Sequence, residues 1–270
     1  MTVGFLGGDR RMQVAADFLK KEGHSVTVFG EGTPSAAFFA PLDLLVLPYP
    51  ATRDGDCVAM TELAFSSLPL SPHTALFGGR LPLAWRTERF SGDAEEDEEY
   101  LLGNAYLTAA AGVATALRAG ERAFFRVTAA VIGYGRIGRE TAKMLRALGA
   151  SVTVYVRREE AKRQATGDGF SSKLLSETDH IPEDIVFGTV PAPAENLLPL
   201  TVSEDALLYD LGGGMPAEMK TPVGAVIRTL PLRGAPGVFA PQAAGELYAG
   251  AILRFLTQRF QNRPRKDLDP

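Results

Sequence analysis

The stretch AAVIGYGRIGRETAKMLRALGASVTVYVRRE, Ala129 to Glu159, decides the fold. An apolar run leads into Gly133-Tyr134-Gly135-Arg136-Ile137-Gly138, an amphipathic segment follows, Gly149 stops it, and a second apolar run begins at Ser151. This order predicts strand, glycine turn, helix and strand, the β-α-β unit of a parallel sheet with a right-handed crossover. The turn matches G-x-G-x-x-G. Gly133 permits the tight turn, Gly135 lets backbone approach a pyrophosphate at a helix N-terminus, and Gly138 lets helix pack closely on strand. Tyr134, Arg136 and Ile137 belong to the same cofactor-binding stretch, and Val190, in the later strand DIVFGTVP, joins the cofactor set.

The unit has an earlier copy. VGFLGGDRRMQVAADFLKKEGHSVTVFG, Val3 to Gly30, aligns without a gap when Gly23-His24-Ser25-Val26 is set on Gly149-Ala150-Ser151-Val152, and Gly7 then falls opposite Gly133. The expectation is an α/β fold of two Rossmann-like parallel-sheet domains joined by a long helix. Residues 1–100 with 241–270 form the first, and residues 101–240 form the dinucleotide-binding second. In the first copy Asp9 and Met12 stand where the second has Gly135 and Gly138. Asp9 sets a negative charge where a pyrophosphate would lie, so this copy is expected to hold no dinucleotide. Its turn instead sets Asp9, Arg10 and Arg11 at the carboxyl end of a strand, where such sheets take their substrates.

Proteins that bind NAD usually end the second strand with an acid that bonds the adenosine ribose. Here Val156 occupies that place and Arg157 and Arg158 follow. Two guanidinium groups suit a 2′-phosphate, so the reading is NADP(H), with NAD(H) the alternative if the arginines are ordinary surface charges.

The rest of the chain fills out the pattern. LDLLVLPYP, TALFGG, DIVFGTVP, ALLYDLGG and GAVIRTLP read as further strands ending at Gly or Pro, and DCVAMTELAFSS reads as a helix. A helix is expected from about Asp93 to Arg118, with the acids of EEDEE, Glu95 to Glu99, solvated in its first turns and Gly120 capping its end. A second helix, about Gln242 to Gln258, is expected to pack back on the first half. The chain of 270 residues has a net charge of −4, which offers no broad basic field for nucleic acid or an anionic membrane. No run approaches the roughly 20 apolar residues of a membrane span. The single cysteine, Cys57, fits a reducing cytoplasm. His24, His73 and His180 fall far apart in loop contexts and form no metal or triad motif.

Several of these segments together, GGDRR, GNAYLTAAAG, VIGYGRIG, LYDLGG and GAPGVFAPQAAGE in that order, resemble the A subunit family of dipicolinate synthase. The resemblance implies a D-2-hydroxyacid dehydrogenase-like architecture and an NADP-dependent oxidation of dihydrodipicolinate to dipicolinate. It places the chain on a branch of the diaminopimelate (lysine) pathway during sporulation of endospore-forming bacteria. It also implies a small dicarboxylate substrate, a flavoprotein-like B subunit for a partner, and a homo-oligomer. On this reading Asp9, Asn104, Thr108, Arg233 and Gln242 are the catalytic candidates and Arg10 and Arg11 bind substrate. The chain departs from the family where Leu107 replaces a proline, Ala110 a glutamate, and Gln242-Ala243 a Lys-Thr pair, and the segment DLGGGMP lacks the small polar and basic residues usual after its aspartate. These losses keep open a partner subunit that binds NADP(H) without catalysis of its own. The reading of a D-2-hydroxyacid dehydrogenase proper is disfavoured, since no histidine follows His180.

Overall fold

The computed structural model describes residues 1–30, 32–86, 89–119, 124–191, 197 and 199–261, with side chains as far as 258. The chain divides into two compact units, Met1–Asn104 with the chain from Ala240 onward, and Ala105–Phe239.

The first unit runs β1 (Thr2–Leu6), α1 (Arg10–Lys21), β2 (Ser25–Phe29), α2 (Ala36–Phe39), β3 (Leu44–Val46), β4 (Ala75–Gly78), α3 (Leu83–Arg86) and β5 (Ser91–Asp93). All five strands are parallel, in the order β2-β1-β3-β4-β5. Both sheet faces are covered, so β3 and β4 read as continuous apolar runs rather than alternating ones. On one face Val3, Phe5, Val46 and Phe77 pack with the buried stripe of α1, namely Met12, Ala15, Ala16 and Leu19 at helical spacing. On the other face Leu6, Leu45 and Leu76 meet Phe39 and Trp85.

The linking helix α4 (Glu98–Ala119) starts later than its sequence indicates. Ser91–Asp93 is the fifth strand and Ala94–Glu96 a single 3-10 turn. Asp93 is buried and accepts from the backbone N–H groups of Arg80, Leu81 and Glu95 at 2.9, 2.7 and 2.9 Å. The acid run is therefore not a plain solvated helix start. Glu95 pairs with Arg80 at 2.8 Å, Glu96 with Arg86 at 2.5 Å, and Asp97 and Glu99 with Arg254 at 2.7 and 2.9 Å. Burial works against the Asp97 charge, but Arg254 and the N–H groups of Tyr100 and Glu99 outweigh it and hold its carboxyl below the usual range. The expected cap Gly120 lies outside the described residues. By length and composition α4 is apolar enough to cross a membrane, contrary to the reading of the sequence, and half of that apolar window is buried within the fold. Tyr100 belongs to the core of the first unit, and Val113 and Ala116 to that of the second.

The segment DCVAMTELAFSS is not a helix. Antiparallel bridges join Thr52 to Val58 and Cys57 to Ala64, and only Phe65–Ser67 form a 3-10 turn. The Asp54 carboxylate accepts from Asp56 N and Cys57 N at 3.0 and 2.9 Å, taking donors a helix start would use, and Phe65 stacks on Trp85 at 4.3 Å.

The second unit continues with β6 (Thr128–Ile132), α5 (Arg136–Ala147), β7 (Ser151–Val156), α6 (Glu159–Gly167), β8 (Ser171–Leu174), β9 (His180–Ile181), β10 (Ile185–Gly188), β11 (Thr201–Val202), β12 (Leu207–Asp210), β13 (Glu218–Lys220), β14 (Val226–Pro231) and α7 (Ala235–Phe239). The parallel strands β8-β7-β6-β10-β12-β14 follow the Rossmann order 3-2-1-4-5-6. The sheet then turns antiparallel into β13 and continues through β11 to β9, so His180 lies in a strand rather than a loop. Among the described residues no α-helix falls between β10 and β14. One face, with Val131, Val154 and Phe187, packs with residues of α5 and α6, and the other, with Ile132, Tyr155 and Val186, packs with Ile181, Val202 and Met219 of the short strands.

The last helix, α8 (Pro241–Gln261), returns to the first unit. A Cβ on Gly245 would meet Val14 Cβ at 2.5 Å, so the missing side chain lets α8 lie directly on α1. The Tyr248 hydroxyl donates to Leu47 O at 2.7 Å, and Phe255 fills the space left by Gly92. Each such aromatic or aliphatic side chain contributes roughly 1.5–3 kcal/mol by leaving water.

Candidate functional site

In the second unit β6 delivers the chain into Gly133, whose φ of 100° lies in the left-handed region. Its N–H donates to Tyr155 O at 2.8 Å, and Thr189 locks the turn by donating Oγ1 and backbone N–H to Ile132 O, both at 2.9 Å. A Cβ on Gly138 would stand 2.3 Å from Gly133 O, so only glycine lets the helix begin this close to the strand. Gly135 is the N-cap of α5, in extended conformation and without a side-chain cap, and a Cβ there would meet nothing within 4 Å. The first helical bond is donated by Arg139 N to Gly135 O at 3.0 Å. The turn thus leaves an open approach to a helix N-terminus with no side chain of its own over it, which fits a dinucleotide pyrophosphate.

The turn opens on a cavity of about 370 Å3. Of the cofactor-binding candidates, Gly133, Gly135, Arg157, Arg158 and Val190 line it. Both arginines are exposed, and Arg158 is the N-cap of α6. Val156, in the place of the acid, is 3% exposed and also reaches the wall. The remaining fingerprint residues do other work. Ile137 packs on the core of the unit. Arg136 is exposed at the first helical position. Tyr134 lines the cavity, but its hydroxyl donates to Asp168 Oδ2 at 2.7 Å and its ring meets Phe170 edge-on. Burial, then the Asp168 carboxylate, push its hydroxyl pKa upward, so it stays a proton donor. Sequence reasoning missed Arg139, Glu160, Gln164 and Thr189, which also line the cavity. Arg139 had a legible signal, since it stands one helical turn beyond Gly135. Two glycines of DLGGGMP approach the same wall, because Cβ atoms on Gly212 and Gly214 would stand 2.3 and 2.5 Å from Val190 O.

In the first unit the matching turn is closed by its own carboxylate. Asp9 is the N-cap of α1 and accepts from Arg11 N at 2.9 Å. The Arg11 guanidinium forks onto the same carboxylate, at 2.9 and 3.0 Å from Nε and 2.8 Å from Nη2, and also donates to Tyr49 O at 3.1 Å. Arg11 is thereby engaged within the fold, whereas Arg10 is exposed at the start of the helix. Gln242 is exposed on α8 and donates to Glu246 Oε1 at 2.6 Å. Asn104 is half-buried on α4.

Thr108, buried on α4, and Arg233, exposed between β14 and α7, belong to the second unit. Asp210, at the end of β12, accepts from Gly212 N and Gly213 N at 3.2 and 2.8 Å and so fixes the glycine loop beyond it.

A Rossmann-ordered sheet with an open G-x-G-x-x-G turn is the architecture of a dinucleotide-binding domain. Residues 111–196 match the D-isomer specific 2-hydroxyacid dehydrogenase, NAD binding domain, which gives this unit a nicotinamide cofactor and a likeness to oxidoreductases. Over nearly the whole chain the similarity is to the A subunit of dipicolinate synthase. The Bacillus subtilis (strain 168) protein is 26% identical over 241 residues, covering 82% of this chain and 80% of that one. The crystal structure of the A chain of dipicolinate synthase from Bacillus subtilis superposes with a TM-score of 0.72 at 20% identity, over 97% of this chain and 98% of that one. The crystal structure of the A subunit from Bacillus halodurans gives 0.71 at 19% identity, over 94% and 97%.

Proposed function

We propose that the chain is an NADP-dependent oxidoreductase that oxidises dihydrodipicolinate to dipicolinate, as its similarity to the A subunit of dipicolinate synthase implies. The observation that carries the cofactor half of the reading is the Gly133–Gly138 turn opening on a cavity rimmed by Arg157 and Arg158, with Val156 in place of the ribose-binding acid. When bound, NADP+ supplies the hydride acceptor. The substrate gives up a hydride from one ring carbon and a proton from the ring, and the gain of aromaticity drives the step, so the protein's task is orientation and a modest base.

The substrate is a dianion and calls for cations. Arg10 in the first unit and Arg233 in the second are each exposed, and either guanidinium suits a carboxylate. Asn104 and Thr108, four apart on α4, serve orientation. Asp9 acts by holding Arg11 and the start of α1 in place. Further copies of the chain and a flavoprotein-like B subunit are the proposed partners, in the cytoplasm.

A second reading rests on Ala110 and Gln242, which stand where the resemblance leads one to expect a glutamate and a lysine, and Gln242 is already bonded to Glu246. It makes the chain a non-catalytic NADP(H)-binding subunit. Calorimetric titration of NADPH and of NADH, each with and without saturating dipicolinate, separates the two. Tighter NADPH binding strengthened by dipicolinate is the outcome expected of the enzyme. Nucleotide binding indifferent to dipicolinate favours the second reading, and no nucleotide binding ends both.

A further inference from the structure

Behind the glycine turn stands a cation that the proposed function does not use. Arg139 directly follows the third glycine, and its side chain lines the cavity. Its Nη2 donates to Gln164 Oε1 at 2.7 Å, and its guanidinium lies 5.4 Å from the centroid of the Tyr134 ring. Its Nε is buried and has no hydrogen-bond partner among the described residues. A buried donor without an acceptor is costly, and a ligand oxygen in the cavity would relieve that cost. Charge points the same way. Among the described residues the lining carries three arginines, Arg139, Arg157 and Arg158, against one carboxylate, Glu160. The adenosine ribose of NAD offers this excess of cations nothing, whereas a phosphate monoester carries about −1.5 to −2 near neutrality.

We propose that Arg139 is the inner donor of a 2′-phosphate subsite, reaching the phosphate from α5 while Arg157 and Arg158 close on it from the end of β7. The inference rests on the NADP reading above and adds to it a rank order. The inner arginine, partly shielded from water and already oriented by Gln164 and Tyr134, discriminates more strongly than the two exposed ones.

The test is calorimetric titration of the full chain and its variants with NADPH, NADH and adenosine 2′-monophosphate, with melting temperatures to follow the fold. Arg139→Met is expected to weaken NADPH and adenosine 2′-monophosphate roughly 10- to 100-fold and to leave NADH within about twofold. Arg139→Lys should recover part of the loss, since it keeps the charge without the fork. The double variant Arg157→Ala with Arg158→Ala should lose less NADPH affinity than Arg139→Met. Equal loss of NADPH and NADH would show that Arg139 only props the Tyr134 turn and would overturn the inference, as would unchanged NADPH binding. Should Arg139→Met fail to fold, the NADPH-to-NADH ratio of Arg139→Lys decides the question in the same way. A wild-type chain that prefers NADH overturns this inference and the NADP reading together. A wild-type chain that prefers NADPH, with Arg139 indifferent, overturns this inference alone.

Discussion

The two β-α-β units of this chain share one backbone plan and differ at one turn. Their strands pair in the same register, Thr2 with Ser25 in the first and Thr128 with Ser151 in the second. The turn glycine N–H donates to the neighbouring strand in both, Gly7 to Phe29 O at 2.9 Å and Gly133 to Tyr155 O at 2.8 Å. Both helices stop at a left-handed glycine, Gly23 and Gly149. The turns then diverge. The second copy uses one left-handed residue, Gly133, whereas the first uses two, Gly7 and Gly8. Met12 packs directly on Gly8, whose absent Cβ would stand 2.2 Å from Met12 Cγ, and Asp9 caps the helix. The same supersecondary unit is thus sealed in one place and open in the other, and the choice lies in the residues at three positions, Gly8, Asp9 and Met12 against Tyr134, Gly135 and Gly138.

Exchanging those residues tests the comparison, and the expected stability costs fall in a clear order. Gly138→Met should be the most damaging. Its Cβ would press on backbone, Gly133 O at 2.3 Å, which cannot move aside as a side chain can. A loss of roughly 3 kcal/mol, at the upper end for overpacking, is expected together with loss of nucleotide binding. Thermal unfolding should register it as a drop of about 6–12 °C. A variant that melts normally and still binds NADPH would mean that the third glycine is not needed for this packing.

Asp9→Ala comes next. It removes a helix cap and leaves the largely buried Arg11 guanidinium, among the described residues, with the Tyr49 carbonyl as its hydrogen-bond acceptor. The cap is worth about 1 kcal/mol, and unpairing a largely buried cation that keeps one carbonyl acceptor adds at least a comparable amount, so roughly 2 kcal/mol or more is expected. Urea midpoints for Asp9→Ala and Asp9→Asn should bracket the two contributions, with Asn between wild type and Ala. Equal midpoints for all three would show that the carboxylate is not what seals the first turn.

The smallest change in stability belongs to Gly135→Asp, which gives the open turn the residue of the sealed one. Nothing lies within 4 Å of the new Cβ, and Asp is a good N-cap, so stability should stay within about 0.5 kcal/mol. Nucleotide binding should nevertheless fall below detection, because a carboxylate then occupies the approach to the helix N-terminus. Retained NADPH affinity would remove the phosphate from this turn.

Much of this is legible in the order of residues along the chain. The gapless alignment of the two copies carries their common strand register, because a β-α-β unit is fixed by spacing along one short length of chain. Asp9 and Met12 mark the first turn as closed to a dinucleotide for the same local reason. Elements whose partners lie far off in the chain are misread from spacing alone. The acids of Glu95 to Glu99 look like a solvated helix start until Arg80, Arg86 and Arg254 are brought to them. The segment 56–67 has helix-like spacing, but Asp54 takes its N–H donors and Trp85 its aromatic face. At the candidate site Arg157 and Arg158 are found by position and Arg139 could have been, one helical turn beyond Gly135, whereas Thr189 lies far from the glycine pattern in the chain.

The sequence by itself determined that the chain holds two β-α-β units and that Asp9 stands over the helix start of the first where the second has Gly135. Those are questions of local sterics, settled by which residues lack a side chain. The tertiary structure alone decided that, among the described residues, short strands rather than α-helices cover one face of the second sheet. It also decided that Asp97 meets Arg254 across most of the chain, and that Arg139 lines the cavity with a buried Nε that has no partner among the described residues. Such pairings depend on distances between residues that only folding brings together, and no periodicity along the chain encodes them.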